Sequence, residues 1–442
     1  MSFSKKITIN TFSQLFGRGA VVVFGALATM VLRRYLGRSV FGEYVFVISL
    51  ATMFSTLADF GSHLVCVREA SQREEKQGLI VGNVIILRLA FSLVVFGLFL
   101  LLKPFFLIRG KNLGLALTLS SLLILVISFK NSLAVIFHTK LKLFYLSLLN
   151  FFISFFNLAG AFFLSRLGEG KEVFSFILLL VVANLAGALI FLPLALKTIK
   201  IKLFFNQTVI RKIFVQIAPM GGILVFFTLY SKAGVVILKF FQGSQAVGIF
   251  GLAQKIYENL SVLGAYLMNS LLPAFSRLSL EKNHQQRLKS LLQTAFDVLL
   301  IGAFGVAVLV FLTAPWLVRV LTGEFLAGET SVLRILSLAT FLSFFNHLTS
   351  YLIIAFKKQI KSLFISLAAL TFNLSVNLLL VPRFSFRAAA WSIVLTEALV
   401  LFLSSRVLGQ FLGWRPDLRR WPQTLLKFFR EKGEIFGQEV KR

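Results

Sequence analysis

The sequence predicts an all-α polytopic membrane protein with about twelve transmembrane helices in two six-helix lobes. Three observations predict this fold class. Hydrophobic residues make up 57% of the 442 residues and charged residues only 14%, whereas soluble domains carry about a quarter charged residues. Apolar runs long enough to cross a bilayer recur along the chain. A glycine motif also recurs at the same place in each half of the series of apolar runs.

A window of about 20 mostly apolar residues locates twelve candidate spans. The loop between the fourth and fifth spans is the least marked, because only residues 138–142 interrupt the apolar sequence. The first apolar run follows Lys5 and Lys6 and continues past residue 28, which favours an uncleaved span over a cleaved signal peptide. The predicted spans are 11–33, 43–66, 79–102, 113–137, 147–166, 173–196, 212–238, 245–272, 291–318, 330–355, 362–381 and 388–411.

The charge of the chain fits a membrane protein better than a nucleic-acid-binding protein. Lys and Arg number 46 against 17 Asp and Glu, which gives a formal net charge of +29. Such basicity is also typical of nucleic-acid binders, but a chain this apolar would not stay in water. Phe occurs 51 times against 4 Trp and 7 Tyr, which suits a lipid-facing surface better than base stacking. No nucleic-acid partner is therefore expected.

The basic residues in the short connections predict the orientation of the spans. When both termini are placed in the cytoplasm, that side carries more than twice as many Lys and Arg as the other. The expected location is the cytoplasmic, or inner, membrane. The tail, 413–442, mixes Trp and Phe with basic residues, and one interpretation is an amphipathic helix on the anionic inner leaflet. The other is a basic end that only adds to the charge asymmetry.

A Gly-x4-Gly-x-aromatic motif follows span one and again follows span seven. Glycines allow a tight chain reversal at the membrane surface, and Glu43 after the second glycine excludes a phosphate-binding P-loop. Together with the span count, the motif predicts lobes 1–206 and 207–412, related by an axis along the membrane normal. This layout is typical of alternating-access transporters that bind their substrate at the lobe interface. The motif residues are Gly37, Gly42 and Tyr44 in the first copy and Gly243, Gly248 and Phe250 in the second.

Further short motifs in both halves carry a family resemblance. They are residues 34–37, 41–44, 58–61, 67–70, 247–250, 272–277, 381–383, 388–389 and 397. As an ordered set they resemble the polysaccharide transport proteins, the O-antigen and lipid-linked oligosaccharide flippases of the multidrug/oligosaccharidyl-lipid/polysaccharide exporter superfamily. This chain departs from the family at Gly234, where many members carry an Asp, and at Ser385 and Arg387, where two glycines are usual.

The resemblance implies a V-shaped exporter-type fold and a flippase rather than an enzyme. The expected substrate is a polyprenyl-diphosphate-linked oligosaccharide, which would cross the cytoplasmic membrane by alternating access between the two lobes. A polysaccharide polymerase and glycosyltransferases are the implied protein partners, besides the substrate lipid and the bilayer. The protein is expected to be a monomer. The sugar sequence and the energy source (proton, sodium, membrane potential or a downhill gradient) stay open.

Basic residues within the spans are the candidate substrate contacts. A charge at the centre of a membrane helix costs about 2.5 to 3.5 kcal/mol, so such residues reach the surface or face protein or water. Lys130, Arg334 and Arg406 lie near span ends and are expected to reach the surface. Four deeper residues are predicted to bind the diphosphate headgroup in an aqueous cavity, with Arg binding bidentately and Lys as a point charge. They are Arg18, Arg88, Lys232 and Lys255. For Lys255, an ion pair within one helix with Glu258 is the open alternative.

The acidic residues within the spans are candidates for ion coupling or for helix pairing. They are Asp59, Glu258, Asp297 and Glu397. For Asp59, pairing with a cation near the inner surface is the favoured interpretation. Asn346, Asn373 and Asn377 are expected to form hydrogen bonds between helices rather than sugar contacts.

No metal site, cofactor or catalytic residue is expected. Cys66 is the single cysteine, and the four histidines are far apart in the sequence. Two other classes of function stay open, an antiporter and a membrane transferase. A drug or cation antiporter of the same superfamily would need an acidic cavity, against which the excess of basic residues in the spans argues. A membrane glycosyltransferase would need paired carboxylates in an outer loop, and an acyltransferase a histidine within the membrane, for which His347 is the candidate.

Overall fold

The structure is a computed structural model that describes residues 3–72, 74–107, 113–140, 142–168, 172–201, 204, 207–278, 285–412, 416–417 and 419–422. All regular secondary structure in these ranges is helical. A short 3-10 helix, Glu74–Lys76, connects the second and third helices. The α-helices are α1 (Phe3–Asp59), α2 (Ser62–Gln72), α3 (Gln77–Phe106), α4 (Gly114–Thr139), α5 (Leu143–Leu167), α6 (Val173–Leu196), α7 (Gln207–Leu278), α8 (Gln285–Thr322), α9 (Ala327–Ala355) and α10 (Gln359–Leu412).

Nine helices in the described part of the chain are long and apolar enough to cross a membrane. Three of them, α1, α7 and α10, contain one residue with non-helical backbone angles and therefore consist of two consecutive helices each. Dividing these three at their breaks gives twelve segments of spanning length. The predicted all-α membrane fold of about twelve helices is confirmed.

The breaks in α1 and α7 have almost the same backbone conformation. Gly37 has φ 73° and ψ −177°, and Gly243 has φ 80° and ψ −176°. These left-handed φ values favour glycine, as the repeated motif predicts. The break in α10 lies at Ser385, with φ 53° and ψ −138°, three residues after Pro382. A serine at this positive φ is strained, because its Cβ crowds the backbone.

The prediction of one continuous helix over 43–66 for span two is wrong at the C-terminal end of that span. Helix α1 ends at Asp59, and α2 begins at Ser62. Phe60 and Gly61 between them have φ values of 40° and 72°. The positive φ at both residues bends the chain before the apolar sequence ends. The bend brings Asp59 and Ser62, on either side of it, to within hydrogen-bond distance of each other.

The chain divides into two compact units. Unit 1 comprises Met1–Gly248 with Val320–Gly323, and unit 2 comprises Ile249–Arg319 with Glu324–Arg442. In unit 1, α4 packs against α6 and α1 packs against α5, around a core that includes Cys66 of α2. In unit 2, α9 packs along α10. The lobe boundary predicted at residue 206 follows the sequence repeat and stays a prediction.

Large apolar side chains cover the outside of the described helices. Val94, Leu101, Phe163 and Leu379 each expose more than half of their surface. Such exposure suits lipid rather than water. The tail predicted as an amphipathic helix lies outside the described residues, apart from 416–417 and 419–422.

Candidate transport site

A buried ion pair joins the bend after α1 to helix α3 in unit 1. The guanidinium of Arg88 donates from Nη2 to Oδ1 of Asp59, and from Nε and Nη2 to Oγ of Ser62 at 3.1 and 2.8 Å. Ser62 Oγ donates in turn to Asp59 Oδ1 at 3.2 Å. The exposed fraction of Arg88 is 1%, and its Nη1 has no hydrogen-bond partner among the described residues. Because Arg88 is buried, its charge needs the carboxylate of Asp59 as a partner. A buried guanidinium without a counter-charge would cost far more free energy than the buried pair.

Two histidines lie beside this ion pair although 75 residues separate them in the sequence. His63 of α2 and His138 of α4 approach to 2.9 Å between Nε2 and Nδ1, and their rings cross at 77°. At this distance one nitrogen donates and the other accepts, so the two rings share one hydrogen bond. Their separation along the chain gave no indication of this contact. The contact depends on the packing of α2 against α4, which no local pattern predicts.

The four predicted headgroup contacts have different surroundings. Arg88 is enclosed in the ion pair with Asp59. Lys232 is half-buried on the first part of α7, in unit 1. Lys255 is exposed on the second part of α7, in unit 2, one turn before the half-buried Glu258. The side chain of Arg18 lies outside the description of the structure.

The basic residues expected to reach the surface divide into two groups. Arg334 and Arg406 are exposed and lie over the rings of Phe311 and Phe402 at 5.2 and 4.9 Å. The same expectation is wrong for Lys130. Its Nζ donates to Oδ1 of Asn184 at 3.2 Å, so a polar partner on α6 holds this lysine inside unit 1.

The two segments that carry the repeated glycine motif, residues 37–43 and 243–248, contact each other within unit 1. We call these segments the glycine hairpins. A Cβ added at Gly42 would overlap the carbonyl oxygen of Ser244, and a Cβ added at Gly248 would overlap the carbonyl oxygen of Arg38. Each hairpin thus places its second glycine against the backbone of the other. We call this contact, formed by residues 38–43 and 239–248, the hairpin joint.

A lysine that the span analysis missed completes the hairpin joint. Lys239 is almost fully buried, and its Nζ donates to Ser244 Oγ at 2.5 Å. The same Nζ lies 3.6 Å from Oε1 of Glu43, which also accepts from Ser244 Oγ at 3.2 Å. The sequence could have indicated this ion pair, because both charges lie beside the repeated glycine motif. Lys239 precedes Gly243 by one helical turn, and Glu43 directly follows Gly42.

A second contact joins α7 to the bend after α1. A Cβ added at Gly61 would lie 2.8 Å from the backbone nitrogen of Gly221, and one added at Gly221 would lie 2.5 Å from the carbonyl oxygen of Phe60. Nearby, Arg68 Nη2 donates to Oε1 of Gln216 at 2.7 Å. We call this contact the bend joint. The second part of α1 therefore touches the first part of α7 at both of its ends.

Glu397 forms a buried polar group in unit 2. Its Oε1 accepts from the hydroxyl of Tyr257 at 3.0 Å, and its Oε2 accepts from Nδ2 of Asn346 at 2.5 Å. Asn346 Nδ2 also donates to the backbone oxygen of Glu397 at 2.9 Å. The exposed fraction of Glu397 is 5%, and Oδ1 of Asn346 is buried with no hydrogen-bond partner among the described residues. Both recorded donors to this carboxylate are neutral groups.

The other acid and amide residues of unit 2 connect structural elements. Asp297 accepts from Nε2 of Gln293 at 2.8 Å, one turn earlier on α8. Asn373 donates to Thr396 across the break in α10 at 2.9 Å, and Asn346 of α9 binds Glu397 of α10. The predicted hydrogen bonds of Asn346 and Asn373 are confirmed. Asn377 donates to Oδ1 of Asn373 on the same helix at 2.9 Å.

Comparison with known proteins identifies the family of the chain. The family model described as polysaccharide biosynthesis protein matches residues 4–279, which include both glycine hairpins and both joints. The chain belongs to the polysaccharide biosynthesis protein family. The resemblance noted in the sequence motifs is thereby confirmed at the level of the family. A comparison with curated protein sequences finds no significant match for this family member.

Solved transporter structures share the fold of this polysaccharide biosynthesis protein. The lipid II flippase MurJ in an inward closed conformation has a TM-score of 0.74 and 15% sequence identity, with 95% of this chain and 90% of that chain covered. The MATE multidrug transporter DinF-BH has a TM-score of 0.69 and 19% identity, covering 93% and 96%. An inward-facing multidrug resistance MATE family transporter of the MOP superfamily has a TM-score of 0.70 and 14% identity, covering 89% and 95%. At these identities the likeness concerns the fold.

Proposed function

We propose that this protein is a flippase that carries a polyprenyl-diphosphate-linked oligosaccharide across the cytoplasmic membrane, with both termini in the cytoplasm. The match of residues 4–279 to a polysaccharide biosynthesis family carries this proposal, because the matched chain consists of membrane-spanning helices. The transporter folds that resemble it support transport rather than sugar transfer. The lipid tail would stay in the bilayer while the headgroup crosses beside the helices.

The proposed headgroup contacts are Arg18, Lys232 and Lys255. Each is a cation within a predicted membrane span, where an anionic diphosphate lowers the cost of the charge. Arg88 has a different role in this proposal. Its guanidinium already binds Asp59 and Ser62, and its surface is inaccessible, so the ion pair would fix the bend after α1 instead.

Alternating access would use the two joints in turn. The hairpin joint and the bend joint hold α1 and α7 together at opposite ends of the same pair of segments. A substrate can enter from one side and leave on the other only if one contact separates while the other stays closed. At Gly42 and Gly248 the two backbones pack directly against each other. Because a small displacement of one backbone already breaks this packing, the contact would be either fully closed or open.

The proposed coupling residue is Glu397. Asp59 pairs with Arg88 and Asp297 binds Gln293, whereas the recorded partners of the Glu397 carboxylate are the neutral Tyr257 and Asn346. A buried carboxylate without a counter-charge is costly when ionised, so it favours a bound proton or a small cation. Binding and release of such an ion on opposite sides of the membrane would drive the cycle.

Paired substitutions of basic residues test the flippase proposal. In proteoliposomes holding a labelled polyprenyl-diphosphate oligosaccharide, Arg18→Ala and Lys255→Ala should each slow translocation about tenfold or more, the size of one lost charge-assisted hydrogen bond. Arg334→Ala and Arg406→Ala are the matched controls, because both side chains are exposed over a phenylalanine ring, and these variants should transport normally.

The outcomes separate the alternatives. Normal translocation by Arg18→Ala and Lys255→Ala would remove the assigned contacts. If the unaltered protein moves no lipid-linked oligosaccharide but exchanges a cationic dye for protons, it is a drug antiporter and the proposal fails.

A further inference from the structure

An apolar cavity of about 350 Å³ lies within unit 2 between α8, α9 and the second half of α10. It is partly open, and the exposed Pro416 after α10 lines one end. On each of the three helices the wall residues recur three or four positions apart, so one face of each helix lines the cavity. Representative wall residues are Phe296 and Leu300 of α8, Phe345 and Leu352 of α9, and Leu401 and Leu408 of α10.

The shape and chemistry of the cavity suit a hydrocarbon chain. The hydroxyl group of Thr349 in the cavity wall donates to the backbone oxygen of Asn346 at 3.2 Å, so its hydrogen is not directed to an occupant. Water would find few hydrogen-bond partners in such a wall. If the cavity were empty, its lining side chains would lose the dispersion contacts that an apolar occupant provides. The lining residues of α9 extend from Phe341 to Leu352, a length of about 16 Å at the helical rise, and half of a bilayer core is about 15 Å deep. The cavity therefore matches one acyl chain of one leaflet.

Basic residues in the described part of the chain adjoin Pro416 and Gly409, two residues that line the cavity, by sequence or through a hydrogen bond. Gln293 fixes this segment with two hydrogen bonds, from Nε2 to the backbone oxygen of Asp417 and from the Asp417 nitrogen to Oε1, at 2.8 and 2.9 Å. Arg419 and Arg420 follow on the exposed surface. Lys361 donates to Gln410, next to the wall residue Gly409, at 3.2 Å. Among the described residues, these three cations outnumber the carboxylate of Asp417, and a positive charge attracts anionic headgroups.

We propose that unit 2 holds an anionic glycerophospholipid from the leaflet on the side of the tail. One acyl chain fills the cavity, and the phosphate headgroup binds Arg419 and Arg420. A single acyl chain fits the one-leaflet depth, whereas a polyprenyl chain extends far beyond it. The site is independent of the flippase proposal, because it would bind lipid whether or not the protein translocates an oligosaccharide.

Lipid binding to the purified full-length protein tests the proposal. Native mass spectrometry would count bound phosphatidylglycerol and phosphatidylcholine with the same acyl chains. Gly409→Trp fills the cavity, and no atom lies within 4 Å of a Cβ at this position, so the helix tolerates the side chain. Gly305→Trp is the matched control, because Gly305 is an exposed helical glycine of the same unit with equally free space.

The unaltered protein should retain phosphatidylglycerol over phosphatidylcholine, and Gly409→Trp should lose both lipids while Gly305→Trp keeps them. The double variant Arg419→Gln/Arg420→Gln should lower retention of phosphatidylglycerol about thirtyfold, the effect of two surface charges, and leave phosphatidylcholine unchanged. Arg383→Gln, at an exposed position before the break in α10, should change neither.

Three results would overturn the proposal. Equal lipid retention by the two tryptophan variants would show that the cavity holds no chain. Displacement of phosphatidylglycerol by an equimolar polyprenyl diphosphate would assign the cavity to the tail of that lipid. A gain of bound lipid after removal of residues 423–442 would mean that the tail itself occupies the cavity.

Discussion

Several charged side chains in the described helices bind an oppositely charged or a neutral polar partner. Arg88 binds Asp59, Lys239 binds Glu43, and Lys130 donates to Asn184. In a membrane these pairs replace the hydration that the side chains would lose. Glu397 differs because its recorded partners are the hydroxyl of Tyr257 and the amide of Asn346.

Glu397→Gln should separate ion coupling from transport. Glutamine has the same size and can still bind Tyr257 and Asn346, but it cannot release a proton or hold a cation as a carboxylate does. The variant should therefore translocate substrate at a rate that no longer responds to a pH or sodium gradient across the proteoliposome membrane. Asp297→Asn is the control, and its transport should keep the response of the unaltered protein, since Asp297 binds Gln293. A gradient response in Glu397→Gln equal to that of the unaltered protein would contradict the assignment.

The sequence predicted that Arg88 and Asp59 carry charge within the membrane, but not that they pair with each other. Arg88 and Asp59 were both identified, one as a headgroup contact and the other as the partner of a cation. Their ion pair depends on the bend at Phe60 and Gly61, which the apolar run over 43–66 conceals. Residue contacts between distant helices, such as His63 with His138, follow from packing and have no counterpart in periodicity or hydropathy.

Glycine determines where helices break and where they meet. Gly37 and Gly243 adopt left-handed φ values, and Gly42 and Gly248 touch the backbone of the opposite hairpin. The sequence repeat predicted glycines at tight reversals after spans one and seven, but not that the two segments touch each other. The break at Ser385 lies between the predicted spans 362–381 and 388–411, so hydropathy located it although no glycine marks the position. The family that the motifs resemble usually has a glycine at this position, whereas in this chain a residue with a side chain adopts a φ of 53°.

Gly42→Ala and Gly248→Ala should each weaken the hairpin joint. The added methyl group would overlap a carbonyl oxygen, and relief requires the backbone to move, at a cost of about 1 to 3 kcal/mol. The control is Gly97→Ala, which has free space around its Cβ on α3 and should be neutral or stabilising by up to about 1 kcal/mol. Thermal unfolding of the purified variants in detergent measures the difference. Equal melting temperatures for the three variants would mean that the hairpins do not pack as described.

On the scale of the whole molecule, transport requires contacts that separate and form again. The hairpin joint unites residues that are 201 positions apart in the chain, as Ser244 and Glu43 show. It combines close backbone packing with a buried lysine, and in the proposed cycle its separation would expose these polar groups. A contact with two well-defined states is what a switch between two sides of a membrane needs.

A reversible cross-link across the hairpin joint should stop transport. In a Cys66→Ala background, Glu43→Cys and Ser244→Cys place two thiols where the native side chains lie within 3.2 Å, in reach of a short bis-methanethiosulfonate reagent. Cross-linking should reduce oligosaccharide translocation to the rate of empty liposomes, because the joint can no longer open, and a reductant should restore it. Each single-cysteine variant treated in the same way should keep its rate, which separates the effect of the link from that of the modification. If protein shown to be fully cross-linked by gel mobility still transports at the untreated rate, the hairpin joint does not open during the cycle. Substrate would then have to pass without separating the two hairpins.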